Sequence, residues 1–223
     1  TSDKGLAGAL NSAVLRATHN DIEKLGLSER NVTVVTIGRK AADYFAARGF
    51  TVERSTHNTD SVTSDFVTEL VQMAVQRFAA EETDVVKIAY QNFFSTFEQR
   101  PTLRTIFPLS ISELEAVVKD IVPVRGVFAD AKEVEHPAGY TIEPSEGEVL
   151  NAILPRLASI FVYHALLESQ ASEHSARMVA MKSASDKATE LRHSLTITFN
   201  KARQAAITRE VSEITGGMEA MTT

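Results

Sequence analysis

Few side chains in this chain have both the type and the spacing for chemistry. His164 and Glu168 stand one helical turn apart in "HALLE", a spacing that can offer two ligands to a metal ion, but no third ligand shares the motif. "TSDKGLAG" at residues 1–8 sets two glycines before a helical pattern. Such a loop can present backbone N–H groups to an anion at a helix N-terminus. It lacks the GxxxxGK[ST] spacing of a P-loop and the third glycine of a dinucleotide fingerprint. Glu173 and Arg177 are spaced i,i+4, which suits an ion pair along a helix. No Ser, His and Asp fall into a shared nucleophile motif, and the chain has no cysteine, so a thiol nucleophile and a Cys-based zinc site are excluded. The residues imply no cofactor and no resident metal.

The composition narrows the partners. The 223 residues include 23 Lys+Arg against 29 Asp+Glu, a formal charge of -6. A mildly acidic chain without a concentrated basic face is a poor binder of nucleic acid. No uninterrupted apolar run reaches the ~18–20 residues of a bilayer span. The start, "TSDKGLAGAL", has no signal-peptide pattern, and without an initiator Met it reads as trimmed.

Punctuation divides the chain. All six prolines lie at or before Pro155, and eight of the ten glycines lie at or before Gly147. Residues 156–215 contain neither, which marks uninterrupted helix. The first part alternates instead. Leu10, Val14, Leu15, Ala17, Ile22 and Leu25 have helical spacing closed by Gly26. "NVTVVTIG" and "FTVERS" read as strands on either side of the helix "RKAADYFAARG". A third helix puts Phe66, Leu70, Met73, Ala74 and Phe78 on one face. "DVVKIAYQNFFSTFE" and "PTLRTIFPLS" read as two strands with a turn near Gln99, Arg100 and Pro101. Residues 111–140 read as a helix-like stretch and loops, and Ser145 with Glu148 reads as a capping box. The expected fold is α/β: a Rossmann-like layered domain with a mostly parallel sheet over residues 1–144. A long C-terminal helix follows over 145–223. Residue 1 reads as a loop that follows a strand, so the domain is expected to lack its first strand here.

The helix carries a seam at spacings of three and four: Leu167, Ala171, His174, Met178, Met181, Ala184, Ala188, Leu191, Leu195, Phe199, Ala202 and Ala206. That is the narrow stripe of a coiled coil. Sixty helical residues would run roughly 90 Å, beyond the about 30–40 Å of an α/β domain of this size. A lone helix with an apolar seam is marginal in water, so a partner is required. From the residues alone that partner is a second copy in a homodimeric scaffold. A small α/β enzyme with a helical tail is the other alternative.

Three stretches carry a resemblance: "TSDKGLAGALN" at residues 1–11, "ALLESQASEHSARMVAMKSASDKATEL" at 165–191 and "LTITFNKARQAAITREVSEITGG" at 195–217. They are similar, in order, to the gamma subunit of the rotary, F-type proton-translocating ATP synthase. The resemblance implies an antiparallel coiled coil between the C-terminal helix and an N-terminal helix absent from this sequence, which would make the chain N-terminally incomplete. It implies a central rotor shaft without catalytic residues of its own, working inside a hexamer of alpha and beta subunits. The other implied partners are an epsilon-type stalk subunit and a membrane ring of c subunits. The implied place is peripheral on an energy-transducing membrane: the cytoplasmic face of a bacterial plasma membrane, or the matrix side of the mitochondrial inner membrane. By the same resemblance Arg203, Gln204, Thr208 and Glu210 contact a beta subunit, and Arg177 serves coupling. Arg can grip carboxylates with a planar fork of donors, and Gln both donates and accepts. Without the resemblance these would read as solvated polar residues on a helix. Family members carry Cys where Ala7 stands here, a departure that removes the thiol regulation of the chloroplast type.

Overall fold

The computed structural model describes residues 1–58, 63–108 and 143–222. The elements are α1 (Leu10–Lys24), β1 (Thr33–Ile37), α2 (Arg39–Ala46), β2 (Thr51–Thr56), α3 (Ser64–Ala79), β3 (Val86–Ser95), β4 (Glu98–Phe107) and α4 (Glu146–Thr222). They form two compact units, Thr1–Arg177 and Met178–Thr223. The division by packing falls inside α4, whereas the sequence border at 144/145 follows the start of the helix. The expectations for residues 111–140 lie outside the described residues.

In the first unit β1 and β2 pair in parallel, and β3 and β4 form an antiparallel hairpin. The β-branched run Thr33–Ile37 and the alternating Thr51–Thr56 suit half-buried strands. Gly26 follows α1 with φ +67°. There the Leu27 N–H donates to Ile22 O and the Gly26 N–H to Glu23 O, which ends the helix as a Schellman turn. The β3–β4 turn sits at Thr96 and Phe97, because β4 already begins at Glu98 and contains Pro101. The sequence reading placed it three residues late by treating Pro101 as turn punctuation. At the edge of a two-stranded sheet a proline costs the ladder little.

Two cores hold this unit. Val14, Leu15 and Ile22 of α1 pack with Ala41 and Phe45 of α2 and with Phe50. Val67 and Val71 of α3 pack with Ile106, Phe107 and three α4 residues, Ala158, Val162 and Leu166. The centre of the α3 face is therefore Val67 and Val71, and the predicted Phe66, Ala74 and Phe78 flank it. Both stripes are apolar, and only the position of α4 and the hairpin chooses between them. Ser145 caps α4, its hydroxyl accepting from the Glu148 N–H at 3.3 Å.

α4 is long and apolar enough to cross a membrane by length and composition, with an 18-residue window of mean hydropathy 1.4. A window average detects this where an uninterrupted-run criterion does not. Its residues Ala158, Val162, Ala165 and Leu166 are buried against protein. The second unit is α4 from Met178 onward, and every described side chain from Met181 to Met221 is exposed.

Candidate functional site

The "TSD" stretch is occupied by the fold itself. The first turn of α2 has Gly38 at its N-cap and no side-chain cap of its own. Instead the Arg39 N–H donates to Asp3 Oδ1 at 2.8 Å, the Lys40 N–H to Ser2 O at 3.3 Å and the Ala41 N–H to Thr1 Oγ1 at 3.0 Å. Asp3 also lies 3.5 Å from His57 Nδ1. The N–H groups of the first turn of α2 are thus held by three successive residues, whereas the anion site suggested by the sequence lies at the start of α1, whose N-cap Ala9 makes no side-chain cap hydrogen bond. Ser2 is clamped in turn by Asn11, which accepts from its N–H and donates to its hydroxyl.

His164 and Glu168 meet each other at 3.4 Å and share their surroundings with Tyr90 of β3 and Arg104 of β4. Burial raises the Glu168 carboxyl above its ordinary value, and Arg104 and the Tyr90 hydroxyl offset this only in part. Burial, then Arg104, lowers His164. Both groups are therefore biased toward their neutral forms. Linkage works in opposite directions for the two. The stability tied to Glu168 is fully present below the ordinary carboxyl value of 4.5 and is lost as pH rises through the raised value. The stability tied to His164 is lost as pH falls below its ordinary 6.5 toward the lowered value. Glu168→Gln, which is neutral at every pH, should melt about 1–3 °C above the parent chain at pH 7.5, with the gain vanishing near pH 4. Thermal melts across that range check it, and an equal gain at both ends would show that charge is not the cause.

Arg177 lies in the first unit, where its guanidinium donates to Glu173 Oε1 at 2.5 Å. Glu173 Oε2 accepts from Asn58 Nδ2 at 2.9 Å, and Gln170 Nε2 donates to Asn58 Oδ1 at 3.3 Å. The i,i+4 pair expected from the sequence is present and is tied to the end of β2. Its arms are 28% and 13% exposed, so water screens it less than a surface pair.

Arg203, Gln204, Thr208 and Glu210 all lie in the second unit and all are exposed. At roughly 100° per residue, Arg203 and Glu210 share one helix face and Gln204 and Thr208 the next. The Thr208 hydroxyl donates to its own helix at Gln204 O, 2.9 Å away. On the seam Leu167, Met178, Met181, Leu191, Leu195 and Phe199 are 41–67% exposed. Ala171, His174, Ala184, Ala188, Ala202 and Ala206 are exposed as well. In the first unit α4 buries a different face, that of Ala158, Ala165 and Ser172, which leaves Leu167, Ala171 and His174 on the outer side.

A second apolar stripe escaped the sequence reading: Ile207, Val211, Ile214, Met218 and Met221, each at least 51% exposed. It follows the same four-three spacing but starts one residue after Ala206, so it faces roughly 100° away from the seam. Arg203 lies beside it. The spacing was visible in the sequence; the jump of one residue hid it.

Two exposed apolar stripes on one helix, with Arg203 and Glu210 between them, define a class: a helical subunit that works by contact with other helices or chains. Comparison with known proteins sharpens the class. A family model described as ATP synthase matches residues 1–221. The ATP synthase gamma chain of Chloroflexus aurantiacus is 39% identical over 223 residues, 100% of this chain and 71% of that protein. That of Staphylococcus haemolyticus is 35% identical over 222 residues, 99% of this chain and 72% of that protein. This chain belongs to the ATP synthase gamma chain family. Among solved structures, a chain of the Euglena gracilis mitochondrial ATP synthase matches with TM-score 0.65 at 21% identity, covering 99% of this chain and 70% of that one. A chain of the Tetrahymena thermophila mitochondrial ATP synthase, from a structure of its central stalk and c-ring, matches with TM-score 0.55 at 24% identity. It covers 83% of this chain and 73% of that one. At these identities the likeness concerns the fold.

Proposed function

We propose that the chain is the central rotor shaft of an F-type ATP synthase, coupling proton-driven rotation to conformational change at catalytic sites carried by beta subunits. The observation that carries this is the long exposed helix of a gamma-family chain, with Arg203, Gln204, Thr208 and Glu210 displayed for contact. A shaft works by favouring different conformations of its neighbours at different angles, which is differential binding energy used as coupling. On this reading the chain supplies no catalytic residue. Two stretches weighed for chemistry have structural contacts, "TSD" with the first turn of α2 and Glu168 with Tyr90 and Arg104 of the hairpin. The partners are the alpha and beta subunits, an epsilon-type stalk subunit and a c-ring. The place is peripheral on the membrane that carries the complex. The bacterial gamma chains at 35–39% identity favour the cytoplasmic face of a bacterial plasma membrane.

Reconstitution tests the proposal. The full-length gene product, mixed with the alpha–beta hexamer, should associate with it and raise ATP hydrolysis. Failure to associate would sink the reading, and a stable two-fold dimer in light scattering would favour the coiled-coil scaffold instead.

A further inference from the structure

The hydrogen bonds described for hydroxyl side chains along α4 are of two kinds. Ser159, Thr189, Thr196, Thr198, Thr208 and Thr215 each fold back to the carbonyl four residues earlier in their own helix, the ordinary habit of helical Ser and Thr. Ser172 and Ser175 do not. Ser172 Oγ donates to Gln91 O at 3.2 Å and Ser175 Oγ to Thr96 O at 3.2 Å, both on the β3–β4 hairpin.

The hairpin has these acceptors ready for a reason legible in its register. Gln91 is opposite Pro101, and proline has no N–H to give. Whichever edge the Gln91 carbonyl faces, β4 offers it no ladder donor. A buried carbonyl in that position needs a partner from elsewhere, and Ser172, 0% exposed, supplies it. The Gln91 side chain extends the chain of bonds, donating from Nε2 to Leu10 O at 2.6 Å at the start of α1. Gln91 is itself 2% exposed. At the other end Thr96 O also accepts from Gln99 Nε2, which pins the turn.

The rest of this contact is apolar, with Val162 and Leu166 in the core beside Ile106 and Phe107. Ala158, Ala165 and Ser172 recur every seven residues and are at most 1% exposed. Small side chains let the helix come close, but apolar contact, that of Val162 and Leu166 included, has no direction of its own. Hydrogen bonds do have direction. We infer that Ser172, Ser175 and Gln91 form a lock that fixes the rotational setting of α4 on the hairpin, and that they carry torsional load between helix and α/β unit. The load-bearing part rests on the rotor reading above; the lock itself does not.

The test has two arms. In the assembled complex, with the hexamer fixed and a probe bead on the α/β unit, the angular variance during dwells measures torsional stiffness. Ser172→Ala combined with Gln91→Met should widen that variance roughly twofold while the hydrolysis rate stays within about a factor of two. Ser175→Ala should widen it too, and Ser175→Thr, which keeps the hydroxyl, should restore it. An unchanged variance alongside a lowered melting temperature would reduce these residues to ordinary packing and overturn the load-bearing role. If the parent chain does not join the hexamer, the rotor reading fails, and hydrogen exchange on the free chain still decides the lock. Ser172→Ala should speed exchange of α4 amides around residues 168–176 about fivefold or more without global unfolding. Exchange at the parent rate would overturn it.

Discussion

Replacing Arg203 and Gln204 together with Ala should lower ATP turnover of the assembled complex about tenfold or more while leaving the α/β unit folded. Hydrogen bonds to a charged group are worth about 1.5–3 kcal/mol each, and each ~1.4 kcal/mol lost from a barrier or coupling step is a factor of ten. The design separates function from folding. Both side chains are exposed, and alanine is the better helix former at either position. The free chain should therefore melt at or slightly above the parent temperature. Single substitutions should rank Arg203→Ala above Gln204→Ala, because the planar fork can hold a carboxylate with two parallel bonds. Thr208→Ala should cost less, since its hydroxyl is engaged with Gln204 O. Turnover and ATP-driven proton pumping in reconstituted vesicles are the measurements. Parent-like values for the double variant would remove the contact role of this pair.

Gly38→Ala should be the most damaging single substitution in the α/β unit, costing about 3 kcal/mol or more and roughly 10 °C of melting temperature. Gly38 has φ +98° and ψ 132°, between the end of β1 and the start of α2. That region of backbone space is essentially restricted to glycine. The space is closed as well: a Cβ there would lie 2.0 Å from Thr1 O, which is main chain and cannot swing away. Moving that strand of contacts would pull Thr1, Ser2 and Asp3 off the first turn of α2 and leave its N–H groups unsatisfied. Gly5→Ala is the control, since nothing lies within 4 Å of a Cβ at Gly5. Denaturant and thermal melts distinguish the two, and a Gly38→Ala chain within 2 °C of parent would refute this account.

The element order of the first unit was legible from local rules. Apolar spacing at Leu10, Val14, Leu15 and Ile22 gave α1, and the same residues are buried. Gly26 and Ser145 marked helix ends because capping depends on residues adjacent in sequence. The three features weighed for chemistry, "TSDKGLAG", His164 with Glu168, and Glu173 with Arg177, had different fates for one reason. The last pair is local to a helix and was readable. The roles of the other two are set by Arg39, Lys40 and Ala41 and by Tyr90 and Arg104, which are distant in sequence.

By itself, then, the sequence determined that the chain has an α/β part, a helix without punctuation over 60 residues, and a seam too narrow for a globular helix. These follow from periodicity and from where Gly and Pro are absent, which short-range sterics enforce. Only the tertiary structure decided which face of α4 is spent on the hairpin and which is left exposed. It also showed that Ser172 and Ser175 reach across while Ser159, Thr189, Thr196, Thr198, Thr208 and Thr215 fold back, and that "TSD" caps a helix 36 residues away. Those outcomes depend on unmet donors and acceptors meeting through space, as at Pro101 and Gln91, and no spacing along a single segment records such a meeting.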